Sequence, residues 1–223
     1  METLDIAYLG CVDYAEALQI QREIHSEILN AQRNSTLLLL EHFPVITLGK
    51  NASLAHLLHS EEELKKQNIA VHRIERGGEA TAHEPGQLVV YPLIDLRKSS
   101  YGPRNFVHKL EDCIIDTLKH YGIDSRRDDR FPGVWTGSGK ICSLGVRISQ
   151  GVSMHGLALN SHNDLNTFSK IIPCGIENCQ MLKVTDFREK VELKELGRVF
   201  SEIFCKNFQV RSYRFLDFGL GLK

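Results

Sequence analysis

A chain of 223 residues, 42% hydrophobic and 25% charged, has the make-up of an ordinary globular protein with room for a sizeable core. The formal net charge of −1 excludes a global field that would draw it to nucleic acid or to an anionic membrane, although Arg126, Arg127 and Arg130 form a local basic cluster. The first residues hold neither a basic region nor a long apolar stretch. The longest apolar run, Leu37 to Leu40, falls far short of the ~20 residues that cross a bilayer, so a cytoplasmic location with no membrane partner is expected.

The six cysteines, Cys11, Cys113, Cys142, Cys174, Cys179 and Cys205, are irregularly spaced and form no CxxC pair. Reduced thiols are expected, with neither a disulfide framework nor a zinc site. There is no repeat, low-complexity tract or Pro/Gly-rich linker, so one domain spanning 1–223 is the simplest organisation.

Taken in chain order, Leu4 to Leu9 reads as a strand. Asp13 then caps a helix running to about Arg33, with Ala15, Leu18, Ile24 and Ile28 as its apolar positions. Ser35 to Glu41 and Val45 to Leu48 are strands. Ser60 followed by three glutamates caps a short helix to Gln67. Ile69 to Ile74 alternates as a strand, a glycine-bearing loop runs from Arg76 to Gly86, and Leu88 to Tyr91 is a strand ended by Pro92. Pro103 opens a helix that Gly122 closes.

Val134-Trp135 is a short strand. Lys140 to Ser149 and Val152 to Asn160 form a hairpin about Gln150-Gly151. Asp164 caps a turn or two of helix to Lys170, and Leu193 to Phe208 is an amphipathic helix with Leu193, Leu196, Phe200, Ile203 and Phe204 on its apolar face. Strands and helices mix without strict alternation, which predicts an α+β fold: a mixed β-sheet packed by helices.

Three segments carry chemistry. In the first, Arg76-Gly77-Gly78 leads to Thr81, His83 and Pro85-Gly86-Gln87. Paired glycines let backbone approach a ligand closely, though a lone pair is ordinarily a turn, and no Gly-Lys-Ser/Thr makes it a P-loop. The second runs from Lys140 to Arg147 and on to Met154–Asn160. Alternation puts Lys140 and Cys142 on one side of their strand. A lysine in so apolar a strand is either an edge residue kept in solvent or has a task, and His155 alone reads as a structural histidine. In the third, Cys174 sits between Pro173 and Gly175. A thiol in a tight turn suits a reactive group, against the alternative of a small buried hydrophobe.

Together these segments resemble the lipoyl (octanoyl) transferase family. The Arg76–Gln87 segment, Lys140 to Arg147, His155 to Asn160 and Pro173-Cys174-Gly175 occur in the family's order and spacing. Weaker matches are Leu9-Gly10 with Tyr14 and Gln21, and Leu40-Glu41-His42 followed by Thr47-Leu48-Gly49. The resemblance covers roughly residues 8 to 180, and the last forty residues add only a helix.

The resemblance implies the catalytic fold shared with biotin and lipoate protein ligases. It implies Cys174 as the thioester-forming residue and Lys140 as its activator. It implies a substrate-binding surface of Arg76, Gly77, Gly78, Glu79, Ala80, Thr81, Ala82, His83, Ser143, Leu144, Gly145, Gly156, Leu157 and Ala158. Glu84 departs from the family's glycine between His83 and Pro85. It would strain the loop if that position required φ > 0, and it places a carboxylate next to His83.

The implied reaction is the first step of endogenous protein lipoylation. Octanoyl (or lipoyl) groups pass from acyl carrier protein, through the cysteine, to a lysine of lipoyl domains. The acceptors would be the E2 subunits of 2-oxoacid dehydrogenases and the glycine cleavage H protein. No cofactor, metal or nucleotide is implied, because a thioester is already activated. The oxyanion donor is sought in backbone N–H groups near Cys174 or at Gly77-Gly78. The competing readings are an ATP-dependent lipoate or biotin ligase, a non-catalytic acyl- or lipoyl-domain-binding protein, and a cysteine hydrolase using His83 or His155 as base.

Overall fold

The computed structural model describes residues 2–99, 101–129, 131–137, 139–176 and 179–216. Arg130 of the basic cluster and the last residues of the chain lie outside that set. The strands are β1 (Thr3–Val12), β2 (Ser35–His42), β3 (Val45–Leu48), β4 (Ala70–Arg73), β5 (Ala80–His83), β6 (Gln87–Leu93), β7 (Arg126–Arg127), β8 (Gly133–Thr136), β9 (Gly139–Ser149), β10 (Val152–Asn160) and β11 (Ser212–Leu216). The helices are α1 (Tyr14–Leu29), α2 (Glu61–Lys66), α3 (Pro103–His120) and α4 (Leu193–Asn207).

Eight strands form a mixed sheet in the order β11-β1-β2-β6-β10-β9-β8-β7, and β4-β3-β5 form a second, small sheet. The pairs β1/β11 and β1/β2 are parallel, and the rest of the large sheet is antiparallel. Both faces of its centre are covered, which accounts for the unbroken run in β2. Leu37 and Leu39 pack with Phe106, Leu110, Ile114, Leu196, Phe200 and Phe204 of α3 and α4. Leu38 and Leu40 pack on the other side with Ala17, Ile20, Ile24 and Ile28 of α1.

Local signals set the ends of the elements. Asp13 accepts from Ala15 N at 2.8 Å and starts α1. Ser60 and Glu63 form a reciprocal capping box on α2. Gln150 and Gly151 both have positive φ and close the β9–β10 hairpin.

Four expectations are corrected. The Arg76–Gly86 loop contains β5, whose partner β3 lies some thirty-five residues back (Val45↔His83). β6 runs through Pro92 to Leu93, because its ladder with β10 ends at Val90 and no N–H is needed beyond it. Asp164 caps no α-helix: its carboxylate takes Asn166 N at 2.9 Å, Leu165 is left-handed, and only a 3₁₀ turn, Phe168–Lys170, follows. The last forty residues add β11 on the edge of β1 as well as α4. No helix among the described residues is long and apolar enough to cross a membrane.

Candidate active site

The site lies where β9 and β10 of the large sheet face the β5 segment of the small one. Cys174 sits in the turn Pro173–Gly175 at φ 55°, a left-handed conformation uncommon for a non-glycine residue. Gly175 N and Ile176 N close the turn onto Ile172 O and Pro173 O. Lys140, one residue into β9, reaches the same point from the opposite side. Its Nζ lies 3.1 Å from Cys174 Sγ and donates to Pro132 O at 2.8 Å. It also stands 5.4 Å from the centre of the Trp135 ring. Lys140 is 1% exposed, and among the described residues no carboxylate lies within ion-pairing distance of it. A buried ammonium without an anionic partner is costly, and Cys174 Sγ is a side-chain atom that faces it.

The two side chains open into a cavity of about 440 Å³. Of the sequence-predicted residues, Arg76, Gly77, Gly78, Glu79, Ala80, Thr81, His83, Ser143, Leu144, Gly145, Gly156, Leu157 and Ala158 all line it with Lys140 and Cys174. Ala82 does not: it packs deeper in β5, in the small core with Ile46, Leu48 and Phe168. Cys142, expected beside Lys140, is fully buried in the α3/α4 core, and burial pushes its thiol up to about 12. Gly156 carries no side chain because a Cβ there would collide with Val90 O and stand 2.6 Å from Pro92 Cδ.

Arg76 is buried, and its guanidinium is committed to protein: Nη2 donates to Thr47 O at 2.6 Å and Nη1 to Gly77 O at 3.0 Å. Burial lowers its pKa from the usual arginine range. Glu79 overlies Gly175 and faces His56 Nδ1 at 3.1 Å, a distance of ion pairing without hydrogen-bond alignment.

A chain of side-chain amides sets the tautomer of His83. Asn160 Nδ2 donates to Leu182 O, so its Oδ1 accepts from Gln87 Nε2, and Gln87 Oε1 must therefore accept from His83 Nδ1 at 2.8 Å. His83 is held neutral, its pKa lowered to about 3 by burial and then by His42. That leaves Nε2 as a lone-pair acceptor. Glu84, the departure from the family pattern, has no strain to carry, since its φ is not positive. Its carboxylate turns from His83 and accepts from Asn163 Nδ2, Leu165 N and Thr167 N at 2.9, 2.7 and 2.9 Å.

Sequence reasoning missed Asn51, Tyr91, Val107, Phe131, Pro132 and Val146 in the cavity wall, and did not assign Tyr14 or His155 to it. Tyr14, Val146 and His155 stood in segments that resembled the family, whereas Asn51, Tyr91, Val107 and the neighbours Phe131 and Pro132 lie outside them. His155, taken as structural, is left-handed at φ 57°, with Nδ1 buried and unpartnered. Burial, ahead of Arg76, lowers its pKa to about 3. Thr81 Oγ1 and Ser143 Oγ are likewise buried without partners among the described residues. Buried polar groups rarely stay unpaired, and all three of these line the cavity.

The sequence matches the lipoyl protein ligase A/B catalytic domain over residues 13–205. It is 40% identical to an octanoyltransferase of Solibacter usitatus, covering 93% of this chain and 94% of the relative. It is 42% identical to one of Caldicellulosiruptor bescii with the same coverage. In structure it is similar to a lipoate-protein ligase A bound with ATP, with TM-score 0.79, 18% identity, and 98% and 90% of the two chains covered. It is similar to the bi-partite lipoate protein ligase of Thermoplasma acidophilum, described with its E2 lipoyl domain, with TM-score 0.75, 16% identity, and 98% and 89% covered. A biotin protein ligase from Aquifex aeolicus gives TM-score 0.57 at 12% identity, with 92% and 70% covered.

Proposed function

Because the chain belongs to the lipoyl protein ligase A/B catalytic family, and within it to the octanoyltransferases, we propose that it moves an octanoyl group from acyl carrier protein to a lysine of lipoyl-domain proteins through a thioester on Cys174. On this reading 1–223 is one catalytic domain working in the cytoplasm. The observation that carries the reading is the 3.1 Å approach of Lys140 Nζ to Cys174 Sγ at the wall of the cavity.

In the first half-reaction the Cys174 thiolate attacks the carbonyl carbon of the donor thioester. The bond from that carbon to the carrier sulfur breaks, and the departing thiolate takes a proton from the Lys140 ammonium. In the second, the neutral amine of the acceptor lysine attacks the acyl-enzyme. Its proton passes to the now neutral Lys140, and Cys174 leaves as thiolate, restoring the starting pair. An ammonium has three N–H groups, and two are taken by Pro132 O and Sγ. The third has no acceptor among the described residues and would serve the oxyanion. Gly77 N is already given to Val146 O, so Gly78 is the backbone donor to consider in that loop.

An adenylating ligase on the same fold needs no nucleophile beside a buried lysine, which is why the transferase is preferred. The discriminating experiment is transfer from octanoyl-acyl carrier protein to a lipoyl domain after desalting and chelation, with Cys174→Ser alongside. The reading predicts transfer without ATP or magnesium and nearly complete loss in the variant. A strict ATP requirement with free octanoate as the better donor would replace it with the ligase reading.

A further inference from the structure

Among the described residues no carboxylate pairs with Lys140, and its ammonium is fixed there by other ties. Phe131 and Pro132, just before β8, and Gly133, its first residue, build that support, each through a separate tie. Phe131 O accepts from the Trp135 indole N–H at 3.3 Å. Pro132 O accepts from Lys140 Nζ at 2.8 Å. Gly133 N donates to Glu111 Oε1 at 2.9 Å. Gly133 stands at φ 130°, and a Cβ there would lie 2.6 Å from Lys140 Cε, so the loop backbone is pressed against the lysine stem.

Glu111 comes from the middle of α3 and is 2% exposed. A carboxylate at a helix position facing the core needs a reason. Its other oxygen faces His108 Nδ1 at 3.1 Å and Arg127 Nε at 3.3 Å, so both oxygens are committed and the group is locked. Trp135 closes the far side, with its ring near the ammonium and its N–H on the same loop. A register shift between Val134 and Trp135 in the β8/β9 ladder sets Trp135 opposite Lys140.

We propose that Glu111 and Trp135 are positioning residues for the acyl transfer: they fix the 131–133 loop, and through Pro132 O they hold the Lys140 ammonium against Cys174 Sγ. The proposal rests on Cys174 and Lys140 being the reacting pair. Glu111 reaches the reacting pair only through the loop, and Trp135 meets only the Lys140 ammonium, with its ring face. Their removal should act on reactivity at Cys174 and on kcat, and leave donor KM nearly unchanged.

The test is alkylation of Cys174 by iodoacetamide across pH, followed by peptide mapping, with kcat and KM for octanoyl-acyl carrier protein. The forms compared are wild type, Glu111→Ala, Glu111→Gln, Trp135→Leu, Trp135→Phe, Lys140→Met and Thr117→Val. Thr117 is a buried α3 residue whose hydroxyl bonds Cys113 O and makes no tie to the loop, so its variant controls for helix damage.

Glu111→Ala and Trp135→Leu should slow neutral-pH alkylation and lower kcat by roughly tenfold or more, since an error of about 1 Å at a reacting group can cost ~100-fold. Glu111→Gln keeps an acceptor for Gly133 N and Trp135→Phe keeps a ring face, so both should recover most of the loss. Thr117→Val should alkylate as wild type. If Lys140→Met slows alkylation and Glu111→Ala and Trp135→Leu do not, the proposal falls and the Cys174–Lys140 pair stands. Thr117→Val matching their losses at equal thermal stability would reduce the effect to helix damage. If Lys140→Met leaves alkylation unchanged, the pair itself falls and the proposal with it.

Discussion

Glu84→Gln is a sharp test of how the turn region is held together. Burying a carboxylate is costly in itself, and the amide avoids that cost, so the sign is set by the three donors around it. Asn163 Nδ2 and Leu165 N both use Oε1, while Thr167 N uses Oε2. A glutamine can put its single oxygen at the first position and keep two bonds. Its NH₂ then faces the Thr167 N–H, donor against donor, at a position where Glu84 is 3% exposed. One bond to a charged acceptor is lost, worth ~1.5–3 kcal/mol, and a buried donor is left unpaired. We expect a net destabilisation of about 2–4 kcal/mol, which at ~2–4 °C per kcal/mol for a chain of this size lowers Tm by roughly 5–15 °C. Thermal and urea unfolding measure it. Transfer by the folded variant at 25 °C should stay near wild type, since Glu84 lies outside the cavity wall. A Glu84→Gln protein as stable as wild type, or more so, would mean that the burial cost of the charge outweighs its three bonds, and the argument would be wrong.

Lys140→Met should slow alkylation of Cys174 at neutral pH and nearly abolish transfer. Lys140→Arg should do little better, because Gly133 already lies against the stem and leaves no room for a guanidinium; wild-type rates in either variant would remove Lys140 from the mechanism. Gly156→Ala drives a Cβ into the Val90 carbonyl, a backbone group that cannot swing aside. It should cost about 1–3 kcal/mol by overpacking and reduce transfer, and a well-folded, fully active Gly156→Ala would show that β10 shifts freely there. His42, His83 and His155 are pushed down by burial from 6.5 to about 4, about 3 and about 3. As pH falls below 6.5 the unfolded chain takes up protons that the folded one refuses. Stability should therefore drop between about pH 6.5 and pH 4, by up to about 4 kcal/mol per pH unit for three histidines. Urea unfolding against pH should show that slope, reduced by about one proton in His42→Gln, and an unchanged slope in that variant would contradict it.

The sequence carried the fold where signals are local. Asp13, Ser60 and Pro103 begin helices where capping chemistry says they should, and Gln150-Gly151 closes its hairpin. It failed where the partner is distant. β5 has only Ala, Thr, Ala and His, and becomes a strand because β3 is there to pair with. β11 exists because β1 offers an edge. The site followed the same division. The segments around Arg76, Lys140 and Cys174 stand out by residue type and by resemblance, and the rest of the expected substrate surface came with them. Ala82 was included because a motif is contiguous, whereas its side chain is taken up by the small core with Ile46 and Leu48. Pro132, Phe131 and Tyr91 were invisible because a carbonyl or a ring placed by tertiary packing leaves no local mark. Glu84 looked like a liability by pattern alone, and only the positions of Asn163, Leu165 and Thr167 turn it into a support.

The central claim is the covalent intermediate, and it is tested most directly by intact mass after mixing the enzyme with octanoyl-acyl carrier protein in the absence of an acceptor domain. The account predicts one octanoyl group per chain, lost on hydroxylamine treatment as a thioester is, mapped to Cys174, and discharged when a lipoyl domain is added. An unmodified mass under conditions where transfer proceeds, or an acyl group mapped to Cys142 or Cys179, would contradict it.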